Sequence, residues 1–209
     1  TTVAGTSTFT GDVTIGDASA ADKKIVFDGN AQDFHIGLDD SADSLTIGLG
    51  SALGTTSHMV IDSTGAVTMP LQPAFLAKPG AAQDNMAVGA EVTIVLGTEL
   101  FDVGGNFASN AFTAPVTGKY RFDVSLRLGA VDAASEYYLT RLNTSNRNHD
   151  MIFDSNEFSS DLDYVAFTFS VLTDMDADDT ATLKFFQNSG TAQTDVDQTN
   201  TRLSGNLVC

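Results

Sequence analysis

Asp174-Met-Asp176-Ala-Asp178-Asp179 sets carboxylates at alternate positions, the opening of a loop that would ligate calcium through hard oxygen donors. The pattern then breaks: Asp179 stands where such a loop needs glycine, and Phe185 where it needs a bidentate glutamate. A solvated turn between two strands accounts for the same residues and is the preferred expectation, with calcium at Asp174, Asp176 and Asp178 the alternative and no other cofactor expected. Asp39-Asp40-Ser-Ala-Asp43, and Asp154-Ser-Asn-Glu157 with Asp161 and Asp163, are further acidic turns. Paired carboxylates can also hydrolyse a glycosidic bond, but acids are too frequent here to single out a pair. His35, His58 and His149 are isolated in sequence and expected in turns or at the surface. Neither a Gly-x-Ser-x-Gly nucleophile turn nor a glycine-rich phosphate loop occurs. Cys209, the single cysteine, has no internal disulfide partner. The expectation is a protein that is not an enzyme.

Charge narrows the partners. A formal net charge of −17, with ten Lys and Arg and only Lys23-Lys24 adjacent, argues against nucleic acid, since phosphate neutralisation needs clustered basic side chains. The same charge disfavours anionic membranes. No apolar run is long enough to span a bilayer, so no membrane insertion is expected. The chain starts at Thr1 without a charged-then-apolar leader, which suggests a processed chain or a piece of a longer one.

The elements that would position such residues are strands. Tyr120, Phe122, Val124, Leu126 and Leu128 alternate with Lys119, Arg121, Asp123, Ser125 and Arg127, the pattern of a half-buried strand. Val165, Phe167, Phe169 and Val171 repeat it, and Ala181 to Phe185 form a third such segment. Residues 91–96, 137–142, 151–153 and 203–208 are further expected strands. No apolar stripe of helical spacing and length appears. Eleven of the fourteen Phe lie from Phe75 onward, so the large core is expected in the C-terminal part.

Leu96, Asp102, Phe107, Phe112, Gly118, Tyr120 and Phe122, closed far downstream by Leu203-Ser204-Gly205-Asn206-Leu207-Val208, resemble the signature of the C1q and tumour-necrosis-factor-like jelly-roll family. The likeness covers about 73–208. Two departures stand out: Leu96 replaces an aromatic, and Phe107 and Phe112 are separated by four residues instead of six. Losing two residues preserves the face of every side chain and predicts a shortened hairpin. The resemblance implies an antiparallel jelly-roll β-sandwich that assembles as a homotrimer and recognises ligands without catalysis.

Residues 1–71 read differently. Phe9, Gly11, Val13 and Ile15 alternate with polar residues, and Ile25-Phe27, Phe34-Leu38, Leu45-Leu49 and Val67-Met69 are short apolar pieces. Turn signals separate them at Asp28-Gly29-Asn30, Asp39-Asp40-Ser41 and Ser63-Thr64-Gly65. The pair Phe34 to Leu38 and Leu45 to Leu49 repeats at eleven residues. Such thin strands are expected to meet copies from other chains or stacked neighbours, as in a fibre. The stretch from about 22 to 69 is similar to segments of tail-fibre and other virion appendage proteins of bacteriophages, especially marine ones.

The whole chain is therefore expected to be all-β: a β-rich stalk over 1–71 and a C1q-like jelly-roll head over 72–209. The expected function is host-surface recognition and adsorption by a homotrimeric phage tail-fibre tip in the virion. Partners would be other tail or head proteins, through the N-terminal segment, and a glycan or protein receptor on the host. The alternatives are a structural head fibre, decoration or spike protein clamped by its jelly roll, or a secreted bacterial C1q-like adhesin. Contact loops are expected at 143–150, 155–163 and 190–200. Tyr137, Tyr138, Arg141 and Arg147 are the candidate contacts, because aromatics and Arg dominate binding hot spots; packing within the core and between protomers is the alternative for the two tyrosines.

Overall fold

The computed structural model describes residues 5–209; residues 1–4, the start of the expected stalk segment, lie outside the described residues. Two compact units divide the chain, Thr1–Leu71 and Gln72–Cys209. Among the described residues every regular element is a strand.

The N-terminal unit is a five-stranded antiparallel meander in chain order: β1 (Lys23–Phe27), β2 (Phe34–Asp39), β3 (Ser44–Leu49), β4 (Ser57–Ile61) and β5 (Val67–Thr68). The eleven-residue repeat is the β2–β3 hairpin, in which Phe34 faces Leu49, Ile36 faces Ile47 and Leu38 faces Leu45. Its turn is tightened by Asp39, whose Oδ1 accepts from the Ser41 hydroxyl (2.7 Å) and the Ala42 N–H (3.2 Å). Opposite residues share a face. Ile25, Ile36, Ile47 and Met59 thus make one apolar row, with Leu38, Leu45, Ile61 and Val67 beside it.

That face is open, and Ile25, Phe27, Phe34, Ile36, Leu38, Leu45 and Ile47 are 37–56% exposed. The other face, with His35, Gly37, Ser44, Thr46 and Gly48, is buried. The loop at 50–56 helps cover it: Leu53 comes within 2.9 Å of where a Gly37 Cβ would stand, and the Leu49 N–H donates to Thr56 O at 2.9 Å. Two expectations need correction. No strand forms between residues 5 and 22, although Phe9, Val13 and Ile15 alternate, because no strand of this chain pairs with that stretch. His35 is not a turn or surface residue; it is fully buried, with Nδ1 2.9 Å from Gly50 O, in space left by the missing side chain of Gly48.

The C-terminal unit contains β6 (Ala74–Lys78), β7 (Glu91–Thr93), β8 (Thr98–Val103), β9 (Phe107–Ala108), β10 (Ala111–Thr113), β11 (Gly118–Val131), β12 (Tyr137–Thr144), β13 (Asn148–Asp154), β14 (Leu162–Met175), β15 (Thr180–Gln187), β16 (Asp195–Val196) and β17 (Arg202–Leu207). One sheet runs β13-β12-β15-β10-β9 with β7 on β15; the other runs β14-β11-β17-β6-β8 with β16 on β11. Neighbours distant in sequence and wholly antiparallel ladders between these strands make it a jelly-roll β-sandwich. The core lies between the sheets.

The aromatic signature is the centre of that core. Phe75 stacks on Phe107 (4.8 Å between centroids) and Phe112 (5.0 Å), and Phe112 meets Tyr120 and Phe122 at 5.5 and 5.7 Å. Burial of each such ring contributes roughly 2–3 kcal/mol. Asp102 shapes the approach to Phe107 by accepting the backbone N–H of Asn106 (3.0 Å) and of Phe107 (2.9 Å). Leu96, which departs from the aromatic of the resembled signature, is buried. Gly118 leaves no room for a side chain, since a Cβ would meet Leu207 at 2.7 Å and Cys209 O at 2.8 Å. Ser204 and Gly205 sit in β17 opposite Asp123 and Phe122.

The shortened hairpin is β9–β10, with Ala108 opposite Ala111 and only Ser109 and Asn110 between them. Both turn residues have positive φ, 51° and 67°, which matches the right-handed twist of the strands. Asn110 tolerates that conformation and its Oδ1 also accepts the Leu96 N–H at 2.8 Å. Asn110→Ala is expected to cost about 1–2 kcal/mol through lost turn preference and an orphaned N–H, read as a lower midpoint in urea.

Candidate functional site

The outer face of the β13-β12-β15 sheet concentrates the polar and aromatic side chains that face outward. Strand alternation sends Tyr138 and Leu142 inward and Tyr137 and Arg141 outward. Leu139 stands opposite Phe186 and Ile152, and Arg141 opposite Lys184 and Asp150. Glu91, brought in by β7, pairs with Phe186 in register. Together Glu91, Tyr137, Leu139, Arg141 and Phe186 line a groove of about 230 Å³. Tyr137 and Phe186 have ring centroids 5.9 Å apart along it.

A four-residue charge network edges the groove. Arg141 grips Asp150 side-on through Nε (2.6 Å) and Nη2 (2.8 Å), and its Nη1 donates to Glu91 Oε1 at 2.6 Å. Lys184 Nζ donates to the other Glu91 oxygen at 2.8 Å. The Lys184 hydrogen bond, with the charges of Lys184 and Arg141 behind it, holds the Glu91 carboxyl below its ordinary range; burial works against this. Asp150 is held low in the same way, chiefly by Arg141. Two cations and two anions cancel, so a chain of net charge −17 presents a neutral, prearranged set of donors and acceptors here. Strands fix these side chains, which lowers the entropic cost of engaging a ligand.

The other candidate contacts fall elsewhere. Tyr138 is 0% exposed and stacks near Phe185, with its hydroxyl accepting the Asp132 N–H at 2.8 Å, so it is a core residue and does not reach a ligand. Arg147 pairs with Asp174 at 2.5 Å on an exposed turn. The expected loop at 143–150 is mostly ladder, because β12 continues to Thr144 and β13 begins at Asn148. The acidic turn is organised by its own hydrogen bonds. Asp179 Oδ2 accepts the Asp176 N–H at 2.8 Å, Asp178 adopts a positive φ of 72°, and Asp174 serves Arg147. Among the described residues no group of three or more His, Cys, Asp or Glu, Asp174, Asp176 and Asp178 included, is placed to hold a metal ion.

No family model and no curated protein matches the chain. Among solved structures, the globular domain of zebrafish complement 1qA protein is similar at 16% identity, with 66% of this chain and 98% of that one covered and a TM-score of 0.49. Murine APRIL at pH 8.0 is similar at 10% identity, 66% and 99% coverage and a TM-score of 0.48. Strand order and core define the fold from within this chain. It is a jelly roll.

Asp132 is a structural residue that the sequence does not signal. It is buried, and its carboxylate accepts the backbone N–H groups of Ala134 (2.8 Å), Ala192 (2.7 Å) and Thr191, pinning the start of the 190–200 segment. Gly190 is required beside it, with φ 131° and a Cβ position only 2.5 Å from Asp132 Oδ2.

Proposed function

We propose that the chain is a non-enzymatic, homotrimeric recognition protein of a bacteriophage virion appendage, adsorbing to a host-surface glycan through the groove of the head. The observation that carries this reading is the groove itself: two aromatic rings beside a charge-balanced network of four side chains. Aromatic faces pack on the apolar faces of sugars, while fixed carboxylates and guanidinium groups satisfy hydroxyls. A neutral site on an acidic protein favours an uncharged saccharide, since an anionic one would meet the surrounding charge.

Trimerisation gains support from the outer face of the second sheet. Leu172 and Tyr164 on β14 are 63% and 62% exposed at one edge, and Phe101 on β8 is 50% exposed at the other. Two different apolar edges suit head-to-tail contact, which closes into a ring when the rotation allows. An open depression of about 670 Å³ beside Leu172, lined also by Arg121, Asn206 and Val208, would receive the neighbour's edge. Three weak sites then act together on a repetitive surface. The similarity of 22–69 to phage appendage segments supports the virion as the setting and other virion proteins as attachment partners.

The test is binding of the purified full-length protein to an array of bacterial surface glycans and to whole cells. Tyr137→Ala and Phe186→Ala are expected to lower apparent affinity at least tenfold with an unchanged circular dichroism spectrum. Binding that survives both substitutions places recognition elsewhere.

A further inference from the structure

We infer that the open apolar face of the N-terminal sheet is an interface between copies of this chain, packed against the same face of its neighbours around a common axis. Its threefold stoichiometry rests on the homotrimer reading; the identity of the face does not. Ile25, Phe34, Ile36, Leu38, Leu45 and Ile47 lie on one side of three adjacent strands and are all more than a third exposed. The sheet is inside out for an isolated unit, since its His-, Thr- and Gly-bearing face is buried while its isoleucines meet solvent. Contiguous apolar surface of this kind marks an interaction site.

Three observations select a second copy as the occupant. The described remainder of this unit leaves the face open: Ile15, from the segment before β1, borders it beside Ile25, Ile36, Leu38 and Leu45, yet all five stay 37–49% exposed. Apolar centre and acidic margin follow interface anatomy: Asp28, Asp33, Asp40 and Asp43 stand in the turns at the strand ends, where paired sheets leave them in solvent. The rest of the chain is strongly acidic, so like copies repel everywhere except through an uncharged patch such as this. Area limits what the face can hold alone. Five strands about 4.8 Å apart and roughly 17 Å long give a face on the order of 300 Å² per copy, well short of the ~800 Å² per partner of a stable pair. The face therefore closes as one part of a larger assembly that the heads also hold together.

The test uses the full-length chain in a Cys209→Ser background. Ile47→Cys, at the centre of the face, is expected to form covalent dimers under mild oxidation, whereas Lys24→Cys, on the opposite face, stays at least tenfold less cross-linked. In parallel, Ile36→Lys with Ile47→Lys is expected to speed hydrogen exchange of 34–49 at least tenfold while 118–131 is unchanged. A trimer by native mass spectrometry in which Ile47→Cys does not cross-link, or in which the double lysine variant keeps its protection, overturns the interface and leaves the homotrimer standing. A monomeric mass in which 34–49 is already unprotected overturns both and leaves the face to a different protein.

Discussion

Gly205→Ala is expected to lower the melting temperature of the C-terminal unit by roughly 10 °C. A methyl group at this position of β17 would stand 2.7 Å from Phe75 Cε1 and 2.7–2.8 Å from two carbons of the Phe122 ring. Neither ring can retreat. Phe75 is stacked against Phe107 and Phe112, and Phe122 meets Phe112 edge-on, with all four side chains buried. Overpacking a filled core costs about 3 kcal/mol when no flexible side chain can absorb the atom, and for a unit of this size that is a fall of roughly 10 °C. Phe75→Leu added to Gly205→Ala should recover part of the loss, because the smaller side chain vacates the contested space. A double variant less stable than the sum of its parts would show that the contact with Phe75 is not what Gly205 protects.

Asp132→Ala is the second large effect expected, about 3–4 kcal/mol, because it strands three backbone N–H groups next to a buried tyrosine hydroxyl. Asp132→Asn should lose less, since its amide oxygen can still accept the N–H groups of Thr191 and Ala192 while its NH2 faces the N–H of Ala134. The pH dependence follows from the same contacts. Burial pushes the Asp132 carboxyl up, but the N–H groups of Ala192, Ala134 and Thr191 outweigh it and hold the carboxyl below its ordinary range. A carboxyl lowered in the folded state stabilises fully above its unfolded value of about 3.9, and that stabilisation disappears as the pH falls through the lower folded value. Wild type minus Asp132→Asn should therefore be constant above about pH 5 and shrink below about pH 4. Urea midpoints at pH 7, 5, 4 and 3 measure the difference, and one that grows on acidification would contradict the assignment.

Alternation was the most legible feature of the chain. Tyr120 to Leu128 and Val165 to Val171 are buried or half-buried on one side of paired strands, and the shortening after Phe107 leaves the two-residue turn Ser109-Asn110. Phe75, around which the signature packs, lacks a distinguishing spacing of its own. Tyr137 and Tyr138 look alike in sequence, and only the register of β12 against β15 sends one out and the other in. Phe9 to Ile15 alternate as a strand would, but pairing is decided by a partner and not by period. His35 is buried because Gly48 opposite it has no side chain, a cross-strand relation that a linear pattern does not carry. Glu91 joins the groove from about fifty residues before Arg141, for the same reason.

The proposed homotrimeric recognition head is tested most directly by the mass of the 209-residue chain in solution. Sedimentation at micromolar concentration is expected to give three times the chain mass of 21.9 kDa, in physiological salt and after chelation of divalent cations. A species at the mass of a single chain would contradict it.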